Sequence, residues 1–174
     1  MRIFLTGFMG SGKTHVGRKL AARLGLPFID LDSAVEERVG LSIRDFFARD
    51  GEPAFRQLES ALLRKVSALP MFVLATGGGA PCHDDNMGYM NAQGVTVFLD
   101  PEITILARRL AAEREQRPLL HGSEDLISLI EGKLKDRRDC YEKALIHVRQ
   151  THPNQDMVRL IANLLPLEDL SLTK

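Results

Sequence analysis

The chain is short of several things, and each shortage narrows what it can be. It has no excess of charge: Lys+Arg and Asp+Glu number 23 each over 174 residues. That balance draws the molecule as a whole neither to nucleic acid nor to an anionic membrane, so an anionic ligand must be held by a local site. Aromatic residues make up only 6%, which further disfavours a nucleic-acid ATPase, since bases stack on such side chains. There are two cysteines, Cys82 and Cys140. Their spacing matches no metal site and one pair is no disulfide framework, so they read as free thiols in a reducing cytoplasm. No apolar stretch approaches the roughly 20 residues that span a bilayer. The apolar start is short, broken by glycine and followed by Lys13, which is not the pattern of a signal peptide. No internal repeat or low-complexity segment is present.

What remains has the size of one ordinary domain, with 44% hydrophobic and 26% charged residues, as in a globular protein with a real core. "RIFLT" predicts a short buried strand. Val16, Leu20 and Leu24 then recur every fourth residue, predicting a helix from about Lys13 that Gly25 and Pro27 end. "PFIDLD" is expected as the second strand, and Ser33 with Glu36 as the capping box of the next helix. "GLSIRDFFARDGE" carries a further short helix, and Pro53 opens another, with Leu58, Leu62, Leu63 and Val66 toward the core. "MFVLAT" and "VTVFLD" are the third and fourth strands. Helices follow over about residues 103–112 and 126–144, with a polar, proline-broken loop between them. "LIHVR" is the fifth strand and "QDMVRLIANLL" the last helix. Alternating strands and helices imply a parallel sheet covered on both faces, with ligands at the carboxyl ends of its strands.

The unusual residues fall at those ends. "GFMGSGKT", residues 7–14, matches G-x-x-x-x-G-K-[ST] between a strand and a helix. Glycines let such a loop wrap an anion with its N–H groups inward, and the following helix adds the positive end of its dipole. Gly10, Ser11, Gly12 and Lys13 would hold nucleotide phosphates, and Thr14 would offer its hydroxyl to Mg²⁺. This loop does not name the acceptor.

Other residues do. Asp30 and Asp32 are two apart on the expected strand, so both carboxylates would face one crevice. One could anchor Mg²⁺ through waters while the other orients a hydroxyl. Arg56 and Glu59 are helix neighbours, and an arginine held by Glu59 could fork onto a substrate carboxylate. Gly77, Gly78 and Gly79 end the third strand, where the backbone must approach something closely. Phe47 and Phe55 are expected in the core, with a ligand wall as the alternative. Arg117, in the proline-bounded loop, is the cation a closing lid would bring to a transferring phosphoryl group. Charge alone does not choose between Arg137 and Arg138.

Taken together, "GFMGSGKT", "DLD", "DGEPAFRQLE", "ATGGGA", "RPLL" and the arginine four before Tyr141 resemble shikimate kinase, over nearly the whole chain. The phosphate loop is common to many families; the combination with D-x-D, F-R-x-x-E, T-G-G-G and R-P-L is far more specific. The resemblance implies an α/β, three-layer P-loop kinase fold with a five-stranded parallel sheet and a mobile lid. It implies a single domain over 1–174, with the lid at about 112–124 and a substrate-binding helical segment at about 33–61. The implied reaction is transfer of the ATP γ-phosphate to the 3-hydroxyl of shikimate, with Mg²⁺, on the route to chorismate and aromatic amino acids. Lys13, Asp32 and Arg117 would then be catalytic, with Asp32 the base. Thr14 and Asp30 would serve Mg²⁺. Asp32, Arg56, Gly78, Gly79 and Arg137 would hold shikimate. Arg137 is chosen over Arg138 for its distance from Tyr141. Arg109, with Arg108 and Arg114 as alternatives, would stack on adenine, beside a loop at 152–154 that contains Pro153. A cytoplasmic monomer with no nucleic-acid or membrane partner is expected.

Three rivals stand beside this reading. One is another small-metabolite kinase, for gluconate or a nucleoside monophosphate; a carboxylate-clamping arginine pair favours an acidic acceptor instead. A GTPase-type switch finds D-x-x-G at residues 85–88 but no N-K-x-D guanine motif. A nucleotide-binding regulator without chemistry leaves the acceptor-side residues unexplained.

Overall fold

The computed structural model describes residues 1–112 and 126–166. The elements run β1 (Arg2–Thr6), α1 (Lys13–Leu24), β2 (Phe28–Asp30), α2 (Leu31–Val39), α3 (Ile43–Ser67) and β3 (Phe72–Ala75). After a 3₁₀ turn at Ala80–Cys82 come α4 (Asn86–Gln93), β4 (Val95–Pro101), α5 (Ile103–Ala112), α6 (Leu126–Tyr141), β5 (Ile146–Gln150) and α7 (Met157–Leu164).

The five strands form one sheet in the order β2-β3-β1-β4-β5, with every neighbouring pair parallel. Successive strand residues face opposite ways, and β1 divides accordingly. Ile3 and Leu5 join Val73, Val97 and Leu99 on one face, where Leu20 of α1 and Ile161 of α7 cover them. Phe4 joins Leu74 and Phe98 on the other, under Leu63 of α3, Leu106 of α5 and Tyr141 of α6. Both faces are therefore buried, which is why these strands are apolar throughout rather than alternating.

α3 contains a break rather than a smooth turn. Gly51 sits at φ 81°, ψ 170°, a region open essentially to glycine alone. Pro53 then starts the second half, where its missing N–H costs nothing. Both halves meet α2 in a small separate cluster: Phe46 before the break and Phe55 after it join Val35. Phe47 stacks on Phe55 with ring centroids 4.7 Å apart; Phe55 is buried core and Phe47 packs half-buried against it.

Several boundaries differ from the sequence reading. β2 ends at Asp30, and α2 begins at Leu31, so Asp32 lies in the first helical turn and not on the strand. The cap of α2 is Asp30, whose Oδ1 accepts from the N–H groups of Asp32 (3.1 Å) and Ser33 (3.4 Å). The expected Ser33–Glu36 box does not form; Glu36 Oε1 instead accepts from Ile43 N–H at 2.9 Å. α6 stops at Tyr141, short of residue 144. α4 was absent from the expectations because its sequence, "NMGYMNAQ", has no apolar periodicity. Its first residue is anchored instead: buried Asn86 donates to Ser60 Oγ and to the Ala80 carbonyl, and accepts from Arg64. The D-x-x-G match at residues 85–88 is thus a helix start.

Candidate active site

A cleft of about 1030 Å³ opens along the carboxyl ends of β1, β2 and β3. The phosphate loop, Asp30, Asp32, Gly78, Arg109 and Pro153 all line it. The loop enters it because β1 delivers the chain to the sheet edge and α1 starts at Lys13. Gly7, Gly10 and Gly12 all take positive φ within it. Lys13 Nζ donates to the carbonyls of Gly7 (2.8 Å) and Phe8 (2.9 Å), which draws the ammonium back over the loop. Thr14 Oγ1 donates to Asp30 Oδ2 at 2.7 Å. A hydroxyl and a carboxylate side by side next to a phosphate loop make a hard-oxygen donor set, which suits Mg²⁺.

At the far end of the nucleotide side, Arg109 Nη1 donates to the Gly10 carbonyl (3.1 Å) and Nη2 to Gln150 Oε1 (2.9 Å). Gln150 in turn donates to the carbonyls of His152 and Pro153. Arg109 therefore ties the phosphate loop to the 152–154 loop. Arg108 is exposed and does not line the cleft; Arg114 lies outside the described residues. Nothing in the sequence pattern pointed to Gln150.

The acceptor end is built around the glycine run. Asp32 Oδ1 and Glu59 Oε1 both lie over Gly77. Burial raises the pKa of Asp32, with Lys13 pulling the other way. Burial also lifts Glu59 to about 7, opposed by Arg56. Arg56 Nη1 donates to Glu59 Oε2 at 2.6 Å, and its Nε and Nη2 donate to Glu52 Oε1 at 3.2 and 3.0 Å. The Arg56 guanidinium also lies over the Phe55 ring, 5.1 Å from its centroid. Gly79 permits this placement: a Cβ there would stand 2.5 Å from Arg56 Nη2. Glu52 went unnoticed in the sequence, although its position four before Arg56 is a helix-pair signal.

α6 supplies the opposite wall. The Tyr141 hydroxyl donates to the Gly78 carbonyl at 2.5 Å, from a fully buried ring stacked on Phe98. The Arg137 guanidinium lies over the Phe8 ring at 5.9 Å and close to Gly78. Arg138 turns away, donating to Asp100 (3.0 Å) and Glu142 (3.1 Å). Of the adjacent pair, Arg137 is the one beside the glycine run. Arg56 and Arg137 stand behind Gly79 and Gly78 rather than among the residues that line the main cleft. Tyr141 served in the sequence only as a landmark; its bond to Gly78 is what holds the turn. Arg117 and the expected lid loop lie outside the described residues.

The comparisons with known proteins agree with one another. A family model described as shikimate kinase matches residues 9–165. A shikimate kinase of Bacteroides fragilis is 47% identical over 146 residues, covering 83% of this chain and 82% of that protein. The crystal structure of shikimate kinase from Bacteroides thetaiotaomicron superposes with a TM-score of 0.88 at 40% identity, over 94% of this chain and 97% of that one. Shikimate kinase from Acinetobacter baumannii, solved in complex with shikimate, gives 0.86 at 32% identity, over 99% and 95%.

Proposed function

The chain belongs to the shikimate kinase family, and on that premise we propose how its residues divide the work of an ATP-dependent kinase acting on shikimate. The observation that carries the proposal is one cleft in which a complete phosphate loop meets Asp32 and the glycine run. Gly10, Ser11, Gly12 and Lys13 hold the ATP phosphates, and Arg109 with Pro153 borders the adenine. Thr14 and Asp30 fit Mg²⁺, which would neutralise charge on the transferring phosphoryl group.

Asp32 orients the 3-hydroxyl of shikimate and takes its proton. Burial favours the protonated carboxyl, which matches a group that must accept a proton as the O–P bond forms. Arg56 is fixed by Glu59 and Glu52, so little side-chain freedom remains to be lost when it meets the substrate carboxylate. Arg137 meets the same carboxylate from α6, and Gly78 and Gly79 offer backbone contacts. Arg117 is assigned to the phosphoryl group by its motif. Most of the rate then comes from alignment and charge neutralisation. Residues 1–174 act as one domain, with residues 33–61 forming the acceptor side and 112–124 the lid. The enzyme works as a monomer in the cytoplasm; no helix among the described residues is long and apolar enough to cross a membrane.

The test is ADP release from Mg-ATP with shikimate, quinate or gluconate as acceptor. Release with shikimate, and loss of at least about a hundredfold in kcat for Lys13→Ala, are expected. Release that is equal with gluconate, or independent of any acceptor, would overturn the residue assignments. Sedimentation at working concentration checks the monomer.

A further inference from the structure

Gln150, 2% exposed, closes β5, and its carboxamide works in two directions. Oε1 accepts from Arg109 Nη2 at 2.9 Å. Nε2 donates to the carbonyls of His152 (3.1 Å) and Pro153 (3.3 Å). A guanidinium can only donate and a carbonyl can only accept, so a side chain with both a donor and an acceptor is needed to satisfy all three partners. The backbone of Gln150 is fixed as well. Its carbonyl accepts from Glu102 N–H at 2.9 Å, just ahead of α5, the helix that carries Arg109. Arg109 Nη1 meanwhile reaches the Gly10 carbonyl.

We propose that Gln150 is the positioning residue of the nucleotide-base end: it holds Arg109 and the 152–154 loop as two walls of one slot, so that the base adds to the affinity supplied by the phosphates. The inference deepens the functional reading above, from which it takes the placement of the base beside Arg109 and Pro153.

The physical reason lies in what each wall would lose without it. An arginine side chain free to rotate must be immobilised when a ligand stacks on it, and that ordering costs affinity; one already pinned at both Nη atoms escapes the cost. Both acceptors are neutral, a backbone carbonyl and a carboxamide, so the charge of Arg109 stays available to an aromatic ring laid against it. The loop is braced separately by Gln155, whose Oε1 accepts from Thr151 N–H at 2.8 Å and whose Nε2 donates to the Arg149 carbonyl at 3.1 Å. Gln150 links that braced loop to Arg109 and so fixes the distance between the two walls.

The rest of the cleft has other supports. Lys13 Nζ holds the carbonyls of Gly7 and Phe8, and Thr14 is bonded to Asp30. The acceptor end stands on the Arg56–Glu59 pair and on the bond from Tyr141 to Gly78. Loss of the Gln150 carboxamide therefore falls on the base and spares the phosphates and the acceptor.

The experiment measures, by calorimetry on the full chain, the affinities for Mg-ATP and for Mg-tripolyphosphate, which carries the phosphates without the base. Gln150→Met keeps the volume and removes every polar atom of the carboxamide. The ratio of the two affinities should fall about tenfold, the size of one lost hydrogen bond to a charged group, with tripolyphosphate affinity held within about twofold. In steady state the KM for ATP should rise by the same factor, while kcat at saturating ATP and the KM for shikimate stay unchanged. Added to Arg109→Ala, Gln150→Met should lower the ratio by no more than about twofold further, because the slot has already lost one wall. A ratio that does not change, an equal loss for ATP and tripolyphosphate, or full additivity with Arg109→Ala would overturn the proposal. If Gln150→Met does not fold, Gln150→Glu carries the test. It keeps an acceptor for Arg109 and has no N–H for the loop, so the ratio should fall at least about threefold; an unchanged ratio overturns the proposal. A chain that prefers ATP to tripolyphosphate but does not phosphorylate shikimate would instead count against the functional reading, since the ratio is measured without turnover.

Discussion

Glu59 is 1% exposed, and its Oε1 finds no hydrogen-bond partner among the described residues. Its other oxygen takes the charge of Arg56. Burial outweighs that partner and raises the carboxyl from 4.5 to about 7. The folded chain therefore binds the Glu59 proton more tightly than the unfolded chain does. Stability from this group is complete below about 4.5 and declines as pH rises to about 7, because ionising the folded state is penalised over that window. Glutamine keeps an acceptor for Arg56 and does not titrate. Glu59→Gln should consequently gain on the wild type as pH rises, by up to on the order of 3 kcal/mol between pH 4.5 and 8. Urea melts at the two pH values measure the difference; a gap that stays constant or shrinks would show that Glu59 titrates near its ordinary value.

At the scale of elements, α6 separates two adjacent arginines by a turn of about 100°, and only one reaches the glycine run. Arg137→Ala should raise the KM for shikimate by roughly tenfold to a hundredfold and leave stability nearly unchanged. Arg138→Ala should leave that KM alone and cost at most about 1 kcal/mol, since its bridges to Asp100 and Glu142 are partly exposed. Steady-state kinetics on the pair decide it, and the reverse assignment would move the carboxylate contact to Arg138. Gly51 tests the break in α3: alanine cannot take φ 81°, ψ 170° without strain, so Gly51→Ala should lose about 1–3 kcal/mol, read from the urea midpoint.

These elements also show where the sequence was legible. β1, α1 and the phosphate loop were legible because a buried apolar strand, a fourfold apolar repeat and a glycine pattern are each local signals. Arg137 could be chosen over Arg138 only through the family motif, because its neighbours Phe8 and Gly78 lie more than fifty positions away in the chain. Asp32 was misplaced onto β2 because the two-residue spacing suits a strand, whereas Asp30 capping α2 ends the strand first. Gln150 gave no local signal for its role, since its partner Arg109 lies 41 positions away in the chain.

Across the whole molecule, the parallel sheet puts two chemistries on one edge while keeping their supports apart. The phosphate side stands on β1 and α1; the acceptor side stands on α3, the glycine run and α6. Each ligand should therefore stabilise the fold through its own set of residues. A ligand at a hundred times its Kd adds about 2.7 kcal/mol, which for a chain of this size raises Tm by roughly 5–10 °C. Arg56→Ala should lose the shikimate shift, measured against its own unliganded Tm, and retain the shift given by nucleotide. Lys13→Ala should do the opposite. If Arg56→Ala lost both shifts together, Arg56 would be supporting the cleft as a whole, and its assignment to the substrate carboxylate would fail.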